Sequence, residues 1–402
     1  MTSFGYLVVA SPLHDAASVD RVTAAVRAVL DGAGGARVAT AGDLRDTPFA
    51  VLVATGGTEA QILDAVRKRR ALVPFEPVLL LAHPLHNSLP ASLEAMAAIR
   101  AEGGRGRIVQ VSDPASLGTV IEDVAAIHRL HGTRLGLVGE PSPWLVASVP
   151  DAELLRSRWG IELVPIDIGS TIDAFERVDP ARAQSVAVHF RRTAAPSAEL
   201  VRAATLHPVL VDAIEEAGVD AVTVRCFDYL GSLTTSGCIA LAELNDTGVV
   251  AGCEGDVASA VAMILVRALL GEASWMANPA VVDVEHDRLL LAHCTIAPSL
   301  VEEVELHTHF ESGLGIGLRG RFAPGWVTLV RLGGPALEHV WIAEAEIEEI
   351  GSADGLCRTQ VTVRLDGVRA STLLETPLGN HLLLVRGRHR DRLEQWWRLA
   401  FG

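Results

Sequence analysis

Four acidic or imidazole features stand at the ends of apolar runs, where a strand would hold them rigidly. Asp228 follows Ala221 to Val224. Glu254-Gly255-Asp256 follows the apolar pair Val249-Val250 and opens the apolar stretch after it. His293 ends Leu289 to Ala292, and Asn380-His381 opens the run that continues to Val385. Carboxylates and imidazoles together are the ligand mix for Mn²⁺, Mg²⁺ or a related divalent cation. A cation that also works as a Lewis acid needs open positions for substrate oxygens. Each residue has a plainer reading as well. Glu254 and Asp256 also suit the first turn of a helix, where an anion gains a few tenths to about 1 kcal/mol. His293 also suits a hydrogen-bonded core position, Asp228 a turn, and His381 the surface ahead of the arginines that follow it. No strict spacing code such as His-Glu-x-x-His links these residues.

The elements that must position them follow from periodicity. Tyr6 to Ser11, Phe49 to Thr55 and Pro77 to Ala82 read as buried strands, and Ala17 to Leu30 and Ala60 to Lys68 as helices, with Thr58 a candidate cap. This alternation predicts an α/β domain with a parallel sheet over residues 1–130, whose functional end lies where strands stop and helices start. A second α/β domain is predicted over 131–275, carrying the acidic residues. Its strands are Arg134 to Val138, Ile161 to Ile166 and Ala221 to Arg225, with Ser185 to Val188 a further candidate, and Ser259 to Leu270 is a strongly apolar helix. From 276 to 402 short strands dominate: Ala280 to Val284, Leu289 to His293, Trp326 to Arg331, Val340 to Ile347, Gln360 to Leu365 and His381 to Val385. Turn signals such as Gly333-Gly334 and Asp366-Gly367 separate them, which predicts a mainly β C-terminal domain.

Bulk properties narrow the function classes. A chain of 402 residues suits two or three domains, and the 49% apolar content can fill their cores. The net charge is −15 and no stripe of Lys and Arg stands out, so nucleic acid is excluded as a partner. Met1 to Leu13 lacks the basic start and cleavage site of a signal peptide, and no apolar run reaches the roughly 18 residues of a membrane helix. The five cysteines are odd in number, irregularly spaced and without a Cys-x-x-Cys pair, which suggests reduced thiols in the cytoplasm. A second polar cluster, His307 to Ser312, precedes Gly313-Leu314-Gly315-Ile316-Gly317. No Lys-Ser/Thr follows, so it is not a phosphate loop. It reads either as a β-hairpin with exposed histidines or as a polyol- or anion-binding loop with His309 and Arg319 as contacts. Gly56-Gly57-Thr58-Glu59 and His83 to Ser88 also stand at strand ends, where they read either as helix caps, the slightly better account, or as turns that line a pocket.

Several words of the sequence resemble the L-fucose/L-arabinose isomerase-like superfamily, in particular its shorter, fucose-isomerase-like members. They are Cys226-Phe227-Asp228-Tyr229-Leu230, Gly237 to Leu241, Leu244-Asn245-Asp246-Thr247-Gly248 and Gly252-Cys253-Glu254-Gly255-Asp256-Val257. Met276-Ala277-Asn278-Pro279 and Leu291-Ala292-His293-Cys294 continue the series, and Asn380-His381-Leu382 extends it weakly. The resemblance implies two Rossmann-like parallel-sheet domains followed by a mainly β domain. It also implies a homo-oligomer in which the N-terminal domain of one subunit can complete a neighbour's pocket. The implied activity is a Mn²⁺-type (or Mg²⁺, Co²⁺) aldose–ketose isomerase acting on a small sugar by enediol proton transfer. A lyase, aldolase or epimerase with the same chemistry is the alternative, and a non-catalytic sugar-binding protein the third. The implied metal ligands are Asp228, Asp256, His293 and His381, with Asp228 standing where the family usually has Glu. Glu254 is then the proton carrier, or exchanges roles with Asp256, and Asp228 and Asp256 complete the catalytic carboxylates. Asn380 joins His309 and Arg319 as a substrate contact.

Overall fold

The structure is a computed structural model that describes residues 2–111, 114–190 and 197–402, with the side chains of 114–116 and 180 left outside the description. Its contacts divide the chain into two units, Met1–His131 with Arg392–Gly402, and Gly132–Asp391.

In the first unit, β1 (Phe4–Val9), β2 (Gly35–Arg37), β3 (Phe49–Val53), β4 (Val78–Ala82) and β5 (Gly106–Gln110) form a parallel sheet in the order β2-β1-β3-β4-β5. Every residue of β3 is buried. A parallel strand covered on both faces must be apolar throughout, which is why Phe49 to Val53 shows no alternation. Thr58 does not cap the helix Glu59–Leu72 through its side chain. Its hydroxyl donates instead to Thr55 O at 3.0 Å, tightening the turn. His83 is likewise held by backbone, with Nε2 3.1 Å from Val22 O and Nδ1 accepting from Leu85 N–H.

The second unit begins with a parallel sheet of β6 (Arg134–Val138), β7 (Glu162–Ile166), β8 (Ala221–Val224) and β9 (Val250–Cys253), ordered β7-β6-β8-β9. A closed antiparallel barrel follows, built from β10 (Trp275–Asp283), β11 (Arg288–His293), β14 (Gly325–Gly333), β15 (His339–Ile350), β16 (Thr359–Asp366) and β17 (Leu382–Arg386) in the order β10-β11-β16-β15-β14-β17. Between β11 and β14 the chain makes a separate hairpin of β12 (Glu303–His307) and β13 (Gly317–Arg321). Alternation explains the barrel: Val361, Val363 and Leu365 of β16 join the core, while Arg364 and Asp366 face out. Two parallel sheets followed by a β-rich C-terminal region is the architecture the sequence predicts.

One element differs. Ser185 to Val188, a candidate strand, lies in the helix Pro180–Phe190. Ala183, Val186, Ala187 and Phe190 are the buried positions, a spacing of three and four that only a helix places on one face. A four-residue apolar run cannot reveal this by itself.

Barrel closure matters for function. Ala277 of β10 pairs with Leu382 of β17, so the next residues in register are Asn278 and His381. The helix Val257–Leu270, apolar nearly all round, packs against β8 and β9 of the sheet and against β14 and β17 of the barrel. It thereby ties the end of β9 to the start of β17. Among the described residues no helix is long and apolar enough to cross a membrane.

Candidate metal centre

The end of β9 turns sharply. Asp256 N–H donates to Cys253 O at 3.1 Å, and the two residues between them, Glu254 and Gly255, have φ of +63° and +68°. A left-handed glutamate is uncommon and costs energy that its surroundings must supply. Gly255 N–H bonds to Val224 O at 3.0 Å, and Ser142 N–H to Glu254 O at 2.9 Å. Gly255 cannot be replaced easily, because a Cβ there would stand 2.8 Å from Glu140 O and 2.9 Å from Pro141 Cα. Gly255→Ala should therefore lose about 1–3 kcal/mol to strain and crowding, and weaken divalent-cation binding with it. Urea unfolding and Mn²⁺ titration check both, and wild-type values in each would show the turn to be dispensable.

The turn separates two carboxylates that an extended chain would have aimed the same way. Glu254 points toward two imidazoles. Its Oε1 is 3.8 Å from His293 Nε2 and 3.5 Å from His381 Nε2, and all three side chains are buried. One donor atom from each of the three lies within 4.8 Å of the others, so the group can hold a metal ion. Ligand atoms about 2.1 Å from one cation sit about 3 to 3.5 Å apart, so modest side-chain closure suffices. Burial opposes ionisation of Glu254, but contact with His293 and His381 more than offsets it and holds the carboxyl well below its usual range. Its other oxygen accepts from Trp144 Nε1–H at 2.6 Å.

Asp256 takes a different part. It caps the helix Val257–Leu270, accepting from Ser259 N–H at 2.8 Å and Ser259 Oγ–H at 2.9 Å. Arg331 of β14 approaches the same Oδ2 at 3.4 Å, and His381 Nδ1 donates to it at 2.8 Å. Arg331 is fixed in turn by Ser259 Oγ (2.8 Å), Ser148 Oγ (2.6 Å) and Leu378 O (3.3 Å). The Asp256 bond holds the His381 ring by Nδ1, so that Nε2 points at Glu254 and His293. This carboxylate–imidazole pairing is how proteins orient a metal-binding histidine. His381 Nε2 is fully buried and makes no hydrogen bond among the described residues. An orphaned buried nitrogen aimed at a carboxylate and a second imidazole fits a cation. Burial opposes protonation of His381, yet its bond to Asp256 and the Glu254 carboxylate 3.5 Å from its Nε2 raise its pKa to about 9. His293 is less firmly aimed. Thr295 N–H points at its Nδ1 from 3.3 Å. Holding a cation at Nε2 moves the ring proton to Nδ1 and forfeits that weak contact.

The group opens onto a pocket of about 470 Å³, mouth included, whose walls include Glu254, His293, Asn278, Phe227, His309 and Glu311. The hairpin loop between β12 and β13 brings in His309 and Glu311. Ser236 Oγ pins that loop, accepting from Ile316 N–H and donating to Ile316 O. The cluster His307 to Ser312 thus lies in a hairpin, but His309 is buried rather than exposed and stands on the pocket wall. Arg319 lies on β13, bonded to Gly351 O and near Glu305, and Asn380 is exposed beside His381; neither lines this pocket. Asp228 sits in the first turn of the helix Phe227–Leu233, pairs with Arg225 at 3.1 Å, and is not in the Glu254–His293–His381 group. The sequence pattern did not single out Arg331, Trp144, Asn278 or Glu311. Asn278 lay within a family-like word and Glu311 within the polar cluster His307 to Ser312, while Arg331 stood out as a lone charge inside the apolar run Trp326 to Leu332.

No known protein-family profile matches the chain. It is similar to curated sulfoquinovose isomerases. With that of Alkalicoccus urumqiensis it shares 26% identity over 235 residues, 54% of this chain and 51% of the relative. With that of Clostridium sp. (strain MSTE9) the figure is 27% over 228 residues, 52% and 50% of the two chains. With that of Priestia aryabhattai it is 22% over 183 residues, 43% and 40%. The matched region thus spans about half the length of these relatives or less. These are distant relationships to sugar isomerases.

Proposed function

We propose that this protein is a metal-dependent isomerase of an open-chain monosaccharide or sugar derivative, with Glu254, His293 and His381 holding the cation. His381 carries this reading: a buried imidazole, oriented by Asp256, whose Nε2 makes no hydrogen bond and faces the Glu254 carboxylate 3.5 Å away. The similarity to sulfoquinovose isomerases supports the sugar-isomerase part. Two imidazoles favour Mn²⁺ or Co²⁺ over Mg²⁺, which prefers oxygen ligands. Three protein ligands leave positions open, and a divalent cation there would supply Lewis acidity to a carbonyl and its neighbouring hydroxyl.

The chain's own residues do the remaining work. Glu254, kept ionised by the imidazoles and Trp144, serves as ligand, and Asp256 serves by aiming His381. This reverses the allocation of Asp256 as ligand and Glu254 as proton carrier. Proton carriage between C2 and C1 falls to Glu311, an exposed carboxylate on the pocket wall. Transfer of this kind contributes a factor of about 10² to 10⁴. Burial disfavours the charged form of His309, so it stays neutral at pH 7 and can bond a sugar hydroxyl. Half-exposed Trp144 lies edge-on to Phe227 at 5.1 Å, and Phe227 to His309 at 5.5 Å, an aromatic row along the mouth.

The test is incubation of Mn²⁺-loaded protein in D₂O with sulfoquinovose and a panel of plain aldoses, ketoses and sugar acids. An aldose–ketose interconversion that places deuterium at C1 or C2 is expected. Cleavage of the carbon chain, or deuterium exchange without a ketose, would move the assignment to a lyase, aldolase or epimerase.

A further inference from the structure

All five cysteines of the chain line the pocket that contains Glu254 and His293. They are Cys226, Cys238, Cys253, Cys294 and Cys357, scattered over 132 positions of sequence and gathered by the fold. A pocket built only to bind hydroxyls would be lined with amides, carboxylates and guanidinium groups. Two of these thiols are poised against each other. Cys253 ends β9 and Cys226 lies just beyond the end of β8, and these strands are parallel neighbours with Val224 opposite Cys253. The two Sγ atoms are 2.9 Å apart. A disulfide is about 2.0 Å long, so less than an ångström of approach separates contact from bond. Cys253 ends a strand and Cys226 is the N-cap residue of the helix Phe227–Leu233, so both are held by regular elements. Both face the pocket, which gives a small oxidant access.

We propose that Cys226 and Cys253 are a reversible disulfide-forming pair, oxidised by hydroperoxide, and that the bond weakens the candidate metal centre. One sulfur attacks a peroxide oxygen, giving a sulfenic acid and, with hydrogen peroxide, one water. The second sulfur then displaces the sulfenic hydroxyl as a second water. Two thiols lose two electrons and two protons, and one peroxide is reduced to two waters. Cys253 immediately precedes Glu254. Drawing its side chain toward Cys226 pulls on the residue from which the left-handed turn departs, and shifts Glu254 relative to His293 and His381. The disulfide itself does not depend on the isomerase reading; its effect on the cation rests on that reading's metal centre.

The full chain is treated with hydrogen peroxide, alkylated and cut with a glutamate-specific protease, and Mn²⁺ binding is titrated before and after. Cleavage at Glu216, Glu243 and Glu254 puts Cys253 on a different peptide from Cys226 and Cys238. The expected product links these two peptides with Cys238 alkylated, and dithiothreitol reverses it. Mn²⁺ affinity should fall by about 10-fold or more, the scale on which displaced supporting contacts weaken a metal site. Cys226→Ala should yield no such linkage and bind Mn²⁺ equally before and after peroxide. Absence of the linked peptide from oxidised wild-type protein overturns the pairing, and a linked protein with unchanged affinity overturns the switch. If reduced wild-type protein binds no Mn²⁺, the metal reading fails instead, and the peptide map alone decides the pairing.

Discussion

Mn²⁺ binding should fall by more than about 100-fold in Glu254→Gln and in His381→Ala, since losing a mere supporting contact already costs about 10- to 100-fold. Asp256→Asn should fall within that smaller range, because it frees His381 without removing a donor atom. The order of the three variants distinguishes Glu254 from Asp256 as the ligand. If Asp256→Asn abolishes binding while Glu254→Gln retains most of it, the assignment of roles is reversed. Isothermal titration with Mn²⁺ measures the effect, and circular dichroism confirms that each variant is folded. Affinity should also depend on pH in a direction that follows from His381. Burial disfavours its proton, but Asp256 and Glu254 hold it up to a pKa of about 9. Below that pKa a cation must displace the proton, so raising pH removes a competitor. Affinity should rise by up to about tenfold per pH unit from 6 toward 9 and then level off. A flat profile over that range would mean that His381 is not a ligand.

Much of the framework was legible because it depends on local patterns. Buried parallel strands announce themselves as unbroken apolar runs such as Phe49 to Val53. Barrel strands announce themselves by alternation, as in Val361, Val363 and Leu365. His293 and His381 were legible for the same reason, since each borders a clear apolar strand that holds it rigidly. The division of labour between Glu254 and Asp256 was not. In an extended chain residues two apart face one side, which makes the two carboxylates equivalent partners. The positive φ at Glu254 breaks that rule and sends them to different neighbours. A glutamate before glycine hints at such a turn, but only tertiary contacts from Val224, Ser142 and Glu140 enforce it. Asp228 looked acidic and well placed, yet a salt bridge one helical turn away satisfies it. The gathering of five thiols around one pocket had no local signal, because each comes from a different segment.

Arg331→Met should destabilise the protein by about 1–3 kcal/mol, the cost of buried polar groups losing one partner, since Asp256 keeps His381 and Ser259. Arg331 is 2% exposed and Asp256 fully buried, so water cannot replace the lost guanidinium. Burial pushes the Asp256 carboxyl up, while His381 and Arg331 more than offset this and hold it down. A carboxyl with a depressed folded pKa contributes stability that is present above its unfolded pKa and lost as pH falls through the folded one. In wild-type protein this contribution is lost only as pH falls below the ordinary carboxylate range. In Arg331→Met it is smaller, and it fades at a higher pH because the carboxyl protonates sooner. Ser148 and Ser259 also lose their partner, which adds to the effect at neutral pH. The double variant Asp256→Asn with Arg331→Met removes both charges and should cost less than the sum of the two single changes, by about 1–3 kcal/mol for groups in one network. Urea unfolding of the four proteins at pH 7 and pH 5 measures the cycle. If Arg331→Met lies within about 1 kcal/mol of wild type, the pair is not what anchors the His381 strand to the helix after Asp256. If the two single changes simply add, Arg331 acts through the serines and Leu378 alone.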